Sequence, residues 1–187
     1  MTTTAGPLNV WEHAARAFEL RAPDPIRDQA DADSWATPGT LAKRITPSTV
    51  QTPALDLVDT ELQRLVDTPD YRLIITMPPQ EGKSTRAVKD FVVWLLKNRP
   101  WLRVVTASYA QSLANRNGRA IRNTIRDHRD LGMAIASDNG SASEWEIEHG
   151  GNQRGGLLSV GRGAGVTGRT ADVMIIDDPL KDRAEAD

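Results

Sequence analysis

The stretch Gly82-Lys83-Ser84-Thr85 combines residue types that bind phosphate groups in proteins. It lies between an apolar run that suits a strand and an apolar pattern that suits a helix, which is the arrangement of a phosphate-binding loop. We expect Lys83 to reach the β- and γ-phosphates, Ser84 to bind Mg²⁺ and Thr85 to contact the α-phosphate. The alternative is an ordinary strand–turn–helix with a lysine on the surface.

The residues just before this stretch are unusual for such a loop. The pattern G-x-x-x-x-G-K-[ST] has a glycine where Met77 stands, and two prolines follow that lack backbone donors. Gln80 and Glu81 complete the predicted nucleotide-binding segment, with the backbone N–H groups of residues 81–84 directed at phosphate. Gly82 is the position at which a Cβ would intrude on the phosphate.

A second group of candidate residues follows the apolar run "VMII". Asp177 suits the acidic ligand that holds Mg²⁺ opposite the loop, and Asp178 occupies the position that polarises the attacking water. The alternative is a turn that only ends a strand. Because the two acidic residues come 94 and 95 positions after Lys83 (177 − 83 and 178 − 83), on a separate strand, their combination with the loop favours a nucleotide site.

Arginines form two further candidate groups. Arg162 and Arg169 belong to the glycine-rich stretch "GRGAGVTGR", where either suits an arginine finger that acts within one subunit or on its neighbour. Another set recurs at intervals of three and four, which places its members on one helix face as a DNA or subunit contact, or else as a solvated face. This set consists of Arg116, Arg119, Arg122, Arg126 and Arg129.

Strands and helices alternate along the chain, which predicts an α/β fold with a mostly parallel sheet and helices on both faces. Residues 1–49 read as an arm with a helix over 10–21, and residues 50–187 as the main domain. The predicted strands cover 71–77, 102–108, 157–161 and 172–178. The predicted helices cover 52–66, 83–97 and 110–127, and residues 131–155 are irregular with a small hairpin around 143–156.

The composition limits the classes of function that the chain can have. The 187 residues carry a net charge of −2, so any contact with nucleic acid depends on a local basic patch. The chain has no cysteine, which excludes disulfides and thiol catalysis, and its three histidines are far apart in the sequence. The longest apolar run, 91–96, is too short to span a membrane. With no basic and apolar leader at the N-terminus, we expect a soluble, cytoplasm-compatible protein.

Three segments together resemble the ATPase domain of the large subunit of a tailed-bacteriophage terminase. They are "RLIITMPPQEGKS", "RVVTASYAQSLANRNGRAIRN" and "SVGRGAGVTGRTADVMIIDDPLKDRAEA". Members of that family commonly have a Pro-Pro pair before the loop, a Ser-Tyr followed by a Leu-Ala helix, a Thr-Gly-Arg and an Asp-Asp-Pro. The resemblance covers roughly residues 50–187 and implies a P-loop NTPase of the additional-strand type.

The resemblance implies a motor that uses ATP and Mg²⁺ to move double-stranded DNA into a procapsid in the host cytoplasm. Its partners would be the portal protein, a small terminase subunit and further copies in a ring. Lys83 and Ser84 would bind phosphate and Mg²⁺, Asp177 would hold Mg²⁺, Asp178 would activate water, and Arg169 is the first choice for the finger. Many relatives have an arginine where this chain has Gln80 and Glu81.

Family members also continue with a coupling motif, further strands and a nuclease domain, so an incomplete ATPase domain is expected here. Two alternatives stay open. One is a helicase-like ATPase that acts on nucleic acid, and the other is a truncated or split module that binds ATP, DNA or packaging partners without catalysis.

Overall fold

The computed structural model describes residues 35–148, 154–165 and 168–180. The chain divides into two compact units, Met1–Asp33 and Ser34–Asp187. The predicted helix over 10–21 lies outside the described residues. The second unit begins well before residue 50, because helix α1 (Pro38–Ile45) already contributes Leu41 and Ala42 to the core.

Local capping residues mark the starts of the first two helices. Thr37 and Thr52 cap α1 and α2 (Pro53–Asp67) with their side-chain oxygens, and a proline stands at the start of each helix. The next helix starts at Lys83, passes through a π-helical segment, Thr85–Asp90, and continues as α3 (Phe91–Asn98). Helix α4 (Gln111–Asp127) is followed by a single 3₁₀ turn over Arg129–Leu131. The predicted helices over 52–66, 83–97 and 110–127 are therefore confirmed.

Five strands form one sheet in the order β2-β3-β4-β1-β5. Their bounds are Arg103–Ser108 for β1, Ile135–Gly140 for β2, Glu144–Ile147 for β3, Gly156–Gly161 for β4 and Val173–Ile176 for β5. Strand β1 pairs in parallel with β4 and β5, whereas β3 pairs antiparallel with β2 and β4. The sheet is mixed, so the prediction of a mostly parallel sheet was wrong for the β2–β3–β4 side, where short connections enforce antiparallel pairing.

The predicted strand over 71–77 is also wrong for the described structure. Its side chains alternate as in a strand: Leu73 and Ile75 pack against the core, and Ile74 is 91% exposed. However, none of the described residues pairs with it, and it forms no strand. Leu73 and Ile75 line the same groove as Val173 and Ile175 of β5. Apolar alternation was therefore a correct sign of extended backbone, but a strand also needs a hydrogen-bonded neighbour.

The described helices pack on one face of the sheet rather than on both. Val104 and Leu157 belong to the same apolar cluster as the residues of α2, α3 and α4. Val105, the next residue along β1, is buried outside that cluster. On β5, Met174 and Ile176 are 56% and 60% exposed and are also outside it. The expectation of helices on both faces is therefore not met within the described residues, because sequence alternation cannot assign a helix to a face.

Candidate functional site

The predicted phosphate-binding segment leads from extended backbone into the π-helical segment. Two of its residues have positive φ, Gln80 at 65° and Gly82 at 81°. At Gly82 this backbone conformation strains any side chain, although the nearest atom to a Cβ would be 4.0 Å away on Leu55. The backbone conformation therefore requires glycine at this position. This reason adds to the one given from sequence, which was the close approach of phosphate. Gln80, Glu81 and Thr85 are exposed, so the Glu81 carboxylate is accessible to solvent.

Ser84 contacts the end of β5 directly. Its Oγ donates a hydrogen bond of 2.9 Å to Oδ1 of Asp177, which is 93 residues away in the sequence and only 9% exposed. The backbone N–H of Asp177 donates to the carbonyl of Ala107, which holds the aspartate beside β1. The sequence-predicted pair of Mg²⁺ ligands is thus assembled at one place.

Lys83 and Asp178 form a second contact beside the first. Lys83 Nζ lies 4.0 Å from Asp178 Oδ1, and the Asp178 side chain is 60% exposed. Asp178 has φ 47°, a left-handed conformation that aspartate adopts more readily than most residues. Its carbonyl accepts a hydrogen bond from the backbone of Tyr109, which fixes this turn to the end of β1. Unusual backbone at both Gln80 and Asp178 indicates strain on the two sides of the same site.

The site lies at the carboxyl ends of the parallel strands. Ser108 and Gly161 are paired at the ends of β1 and β4, and Asp177 follows β5 at the same edge. Ligands of open α/β sheets bind at this edge. Arg162 also follows β4 here, and its backbone N–H donates to the carbonyl of Ser108.

Arg169 lies elsewhere. It precedes β5, whereas Asp177 follows it, so the two residues stand at opposite ends of this strand. Its guanidinium donates to both carboxylate oxygens of Glu144 on β3, with Nη2 3.2 Å from Oε2. The structure therefore does not bring Arg169 to the phosphate-binding segment of the same chain. Sequence reasoning gave Glu144 no role, since its partner is 25 residues away.

Four members of the predicted arginine stripe lie on α4, and the fifth, Arg129, lies in the 3₁₀ turn after it, so the prediction of one helix face was wrong for Arg129. Arg122 is anchored. Arg122 donates to the carbonyls of Gly140 and Ser141 at 2.7 and 2.9 Å, so it fastens the turn between β2 and β3 to the helix. Its burial, followed by the charges of Arg126 and Arg119, lowers the pKa of Arg122. Arg119 and Arg126 are exposed, as are the two outer members of the stripe, Arg116 and Arg129. The four other arginines therefore form an exposed row of like charges on either side of Arg122.

The described residues limit the metal chemistry. They contain no group of three or more histidine, aspartate or glutamate side chains that would hold a metal without help. Ser84 and Asp177 fit an ion that takes its other ligands from phosphate and water, as Mg²⁺ does in nucleotide sites. No helix among these residues has both the length and the apolar character needed to cross a membrane. Comparison with protein-family models and with curated proteins found no match.

Proposed function

We propose that this chain binds ATP with Mg²⁺ at the edge formed by residues 80–85 and the aspartates after β5. The observation that carries the proposal is the 2.9 Å hydrogen bond between Ser84 and Asp177, since it joins the two halves of the predicted site. A Gly-Lys-Ser tripeptide that occurs by chance would not be expected to contact a buried carboxylate at the carboxyl edge of the sheet. The resemblance to terminase motors adds to this support.

Each residue has a defined role in the proposed reaction. The Ser84 hydroxyl and the Asp177 carboxylate would hold Mg²⁺, which would supply charge neutralisation at the phosphates. Lys83 exchanges its contact with Asp178 for phosphate oxygens. The Asp178 carboxylate is then available to orient a water molecule and accept its proton. The exposed position of Asp178, beside Lys83, suits this role.

We further propose that hydrolysis drives translocation of double-stranded DNA into a procapsid, as in the large terminase subunit that the motifs resemble. Arg119 and Arg126 are the proposed DNA contacts. Arg169 stands at the far end of β5 from the site of its own chain, so the proposed arginine finger acts on a neighbour in a homo-oligomeric ring. The portal protein and a small terminase subunit are the other proposed partners.

A second candidate is a module that binds nucleotide, DNA or packaging partners without turnover by itself. The ion pair between Arg169 and Glu144 favours it, because the guanidinium is held by a carboxylate of its own chain. Turnover by the isolated chain would exclude this candidate. A helicase-like ATPase, the third possibility, would show ATP hydrolysis stimulated by single-stranded nucleic acid rather than by double-stranded DNA.

The decisive experiment is equilibrium binding of labelled ATP with and without Mg²⁺. We expect Mg²⁺-dependent binding by the native chain, abolished by Lys83→Ala. Lys43→Ala is the matched control, since Lys43 is an exposed lysine in the last turn of α1. Absence of Mg²⁺-dependent binding, or equal loss in both variants, would refute the proposed site.

A further inference from the structure

Three charged side chains are buried next to the phosphate-binding segment, and the proposed chemistry uses none of them. Arg86 is 2% exposed, Asp90 is 3% and Asp59 is 4%. Arg86 and Asp90 belong to the π-helical segment, and Asp59 belongs to α2. Charged groups are seldom buried in this way unless they are paired.

The contacts of Arg86 join three parts of the chain. Its Nη1 donates to Asp59 Oδ2 at 2.6 Å, and its Nη2 donates to Gln51 Oε1 at 2.8 Å. Gln51 in turn donates to the same Asp59 oxygen at 2.9 Å. The Nε atom is 3.6 Å from Asp90 Oδ2, an ion pair that is too long for a hydrogen bond. We call Arg86, Asp59, Gln51 and Asp90 the buried charge cluster.

The buried charge cluster is packed against α1. A Cβ on Gly39 would overlap Asp59 Oδ2 and come within 2.8 Å of Arg86 Nη1 and 2.9 Å of Gln51 Nε2. Burial raises the pKa of Asp90, and the charges of Lys89 and Arg86 oppose this effect. Asp59 Oδ1 and Arg86 Nε have no hydrogen-bond partner among the described residues. The arrangement therefore carries a desolvation cost, which makes it a poor device for stability alone.

Two members of the cluster, Arg86 and Asp90, belong to the π-helical segment itself. In the π-helical segment the N–H of Phe91 bonds to the carbonyl of Arg86, five residues earlier, instead of the four of an α-helix. The segment thus holds one more residue than an α-helical turn. One residue corresponds to about 100° of rotation in an α-helix. If residues 85–90 formed a regular α-helix continuous with α3, Lys83 and Ser84 would therefore be rotated by about that angle away from the sheet edge.

We propose that the buried charge cluster is a positioning device that keeps residues 85–90 in the π-helical register and thereby holds Lys83 and Ser84 against the two aspartates. The apolar face of α3 is fixed by the core, and Ser84 is fixed by Asp177. The extra residue reconciles these two constraints, and Arg86 secures it by its bonds to α2 and to Gln51. The consequence for nucleotide binding rests on the proposed function, whereas the helix register does not.

The test replaces the ion pair with apolar residues in the double variant Arg86→Met, Asp59→Leu. Such replacement of a buried pair is often neutral for stability, so the variant separates positioning from folding. The matched control is Arg99→Met, Asp67→Leu. That pair, at 2.5 Å, joins the end of α2 to the residue after α3, at the opposite end of the same helix. Circular dichroism and urea unfolding show whether each variant folds.

Two measurements follow on the folded variants. In the nucleotide-free protein, ¹³Cα chemical shifts and amide exchange of residues 83–91 report the helix register. We expect both to change in the Arg86, Asp59 variant and to stay unchanged in the control. Mg²⁺-dependent binding of labelled ATP should weaken more than about tenfold in the first variant only, because misplacement of the order of an ångström has effects of this size or larger.

The outcomes are distinguishable. An unchanged register in the Arg86, Asp59 variant would overturn the positioning proposal, whatever the nucleotide does. An altered register with native ATP affinity would overturn the link to Lys83 and Ser84. If the native chain binds no nucleotide, the proposed function fails, and the register measurement still decides the structural claim. Should the double variant not fold, Arg86→Lys is measured in the same way: it keeps the charge but loses the forked hydrogen bonds.

Discussion

Asp177→Asn separates the structural role of this aspartate from its proposed role at Mg²⁺. The asparagine carbonyl oxygen still accepts the hydrogen bond from Ser84, but the acceptor is now neutral. Hydrogen bonds to charged groups contribute about 1.5–3 kcal/mol and neutral ones about 0.5–1.5 kcal/mol, a difference of about 1 kcal/mol. Because residue 177 is only 9% exposed, the smaller desolvation cost of burying a neutral asparagine offsets part of that loss. We expect the unfolding midpoint to fall by no more than about 2–4 °C.

The effect on nucleotide binding has a different physical cause. The substitution removes the negative charge that holds Mg²⁺, so the gain in ATP affinity on adding Mg²⁺ should fall by at least about tenfold, or about 1.4 kcal/mol. Fluorescent-nucleotide titrations with Mg²⁺ and with chelator measure this gain directly. Asp172→Asn is the control, since Asp172 precedes β5 and pairs with Arg103 at 3.0 Å, away from the site. Native Mg²⁺ dependence in Asp177→Asn would refute the assignment of Asp177 as a metal ligand.

Three further predictions concern stability and DNA. Gly118→Ala should lower the free energy of unfolding by about 1–3 kcal/mol in urea titrations, because its Cβ would lie 2.5 Å from a serine oxygen of β4. Gly165→Ala, which meets nothing within 4 Å, should change it by less than about 0.5 kcal/mol. If the double variant Arg119→Ala, Arg126→Ala loses two phosphate contacts, its slope of log affinity against log salt for double-stranded DNA falls by about 2; an unchanged slope contradicts the proposed contact. The guanidinium hydrogen bond holds the pKa of Asp172 below its usual range, so this carboxylate stabilises the fold above the unfolded pKa of about 3.9. The stability difference between native protein and Asp172→Asn should be present at neutral pH and shrink as the pH falls below about 4.

Local sequence predicted much of the helical structure and the partners in the site. Thr52 and Pro53 marked the start of α2, and the apolar spacing of α3 and α4 gave their extent. The sequence also singled out Ser84 and Asp177, because a hydroxyl after a glycine-lysine pair and an acid after an apolar strand have separate local signals. Their hydrogen bond is observed, and their binding of Mg²⁺ stays a prediction. The strand β2 lacked such a signal, since "IASDNG" contains polar and turn-forming residues and becomes a strand only by pairing with β3.

Sequence by itself therefore determined the helices and singled out the candidate site residues, since helix capping and apolar periodicity depend on residues close together in the chain. Tertiary structure alone decided three things that depend on contacts between distant residues. It placed Arg169 on Glu144, it gave residues 71–77 no strand partner within the described part of the chain, and it buried Arg86 against Asp59. From sequence, a charged residue such as Arg86 in an amphipathic helix is expected at the surface. Its burial follows only from its partner Asp59, 27 positions away. The π-helical register beside the proposed nucleotide site depends on that partner, and no local pattern encodes it.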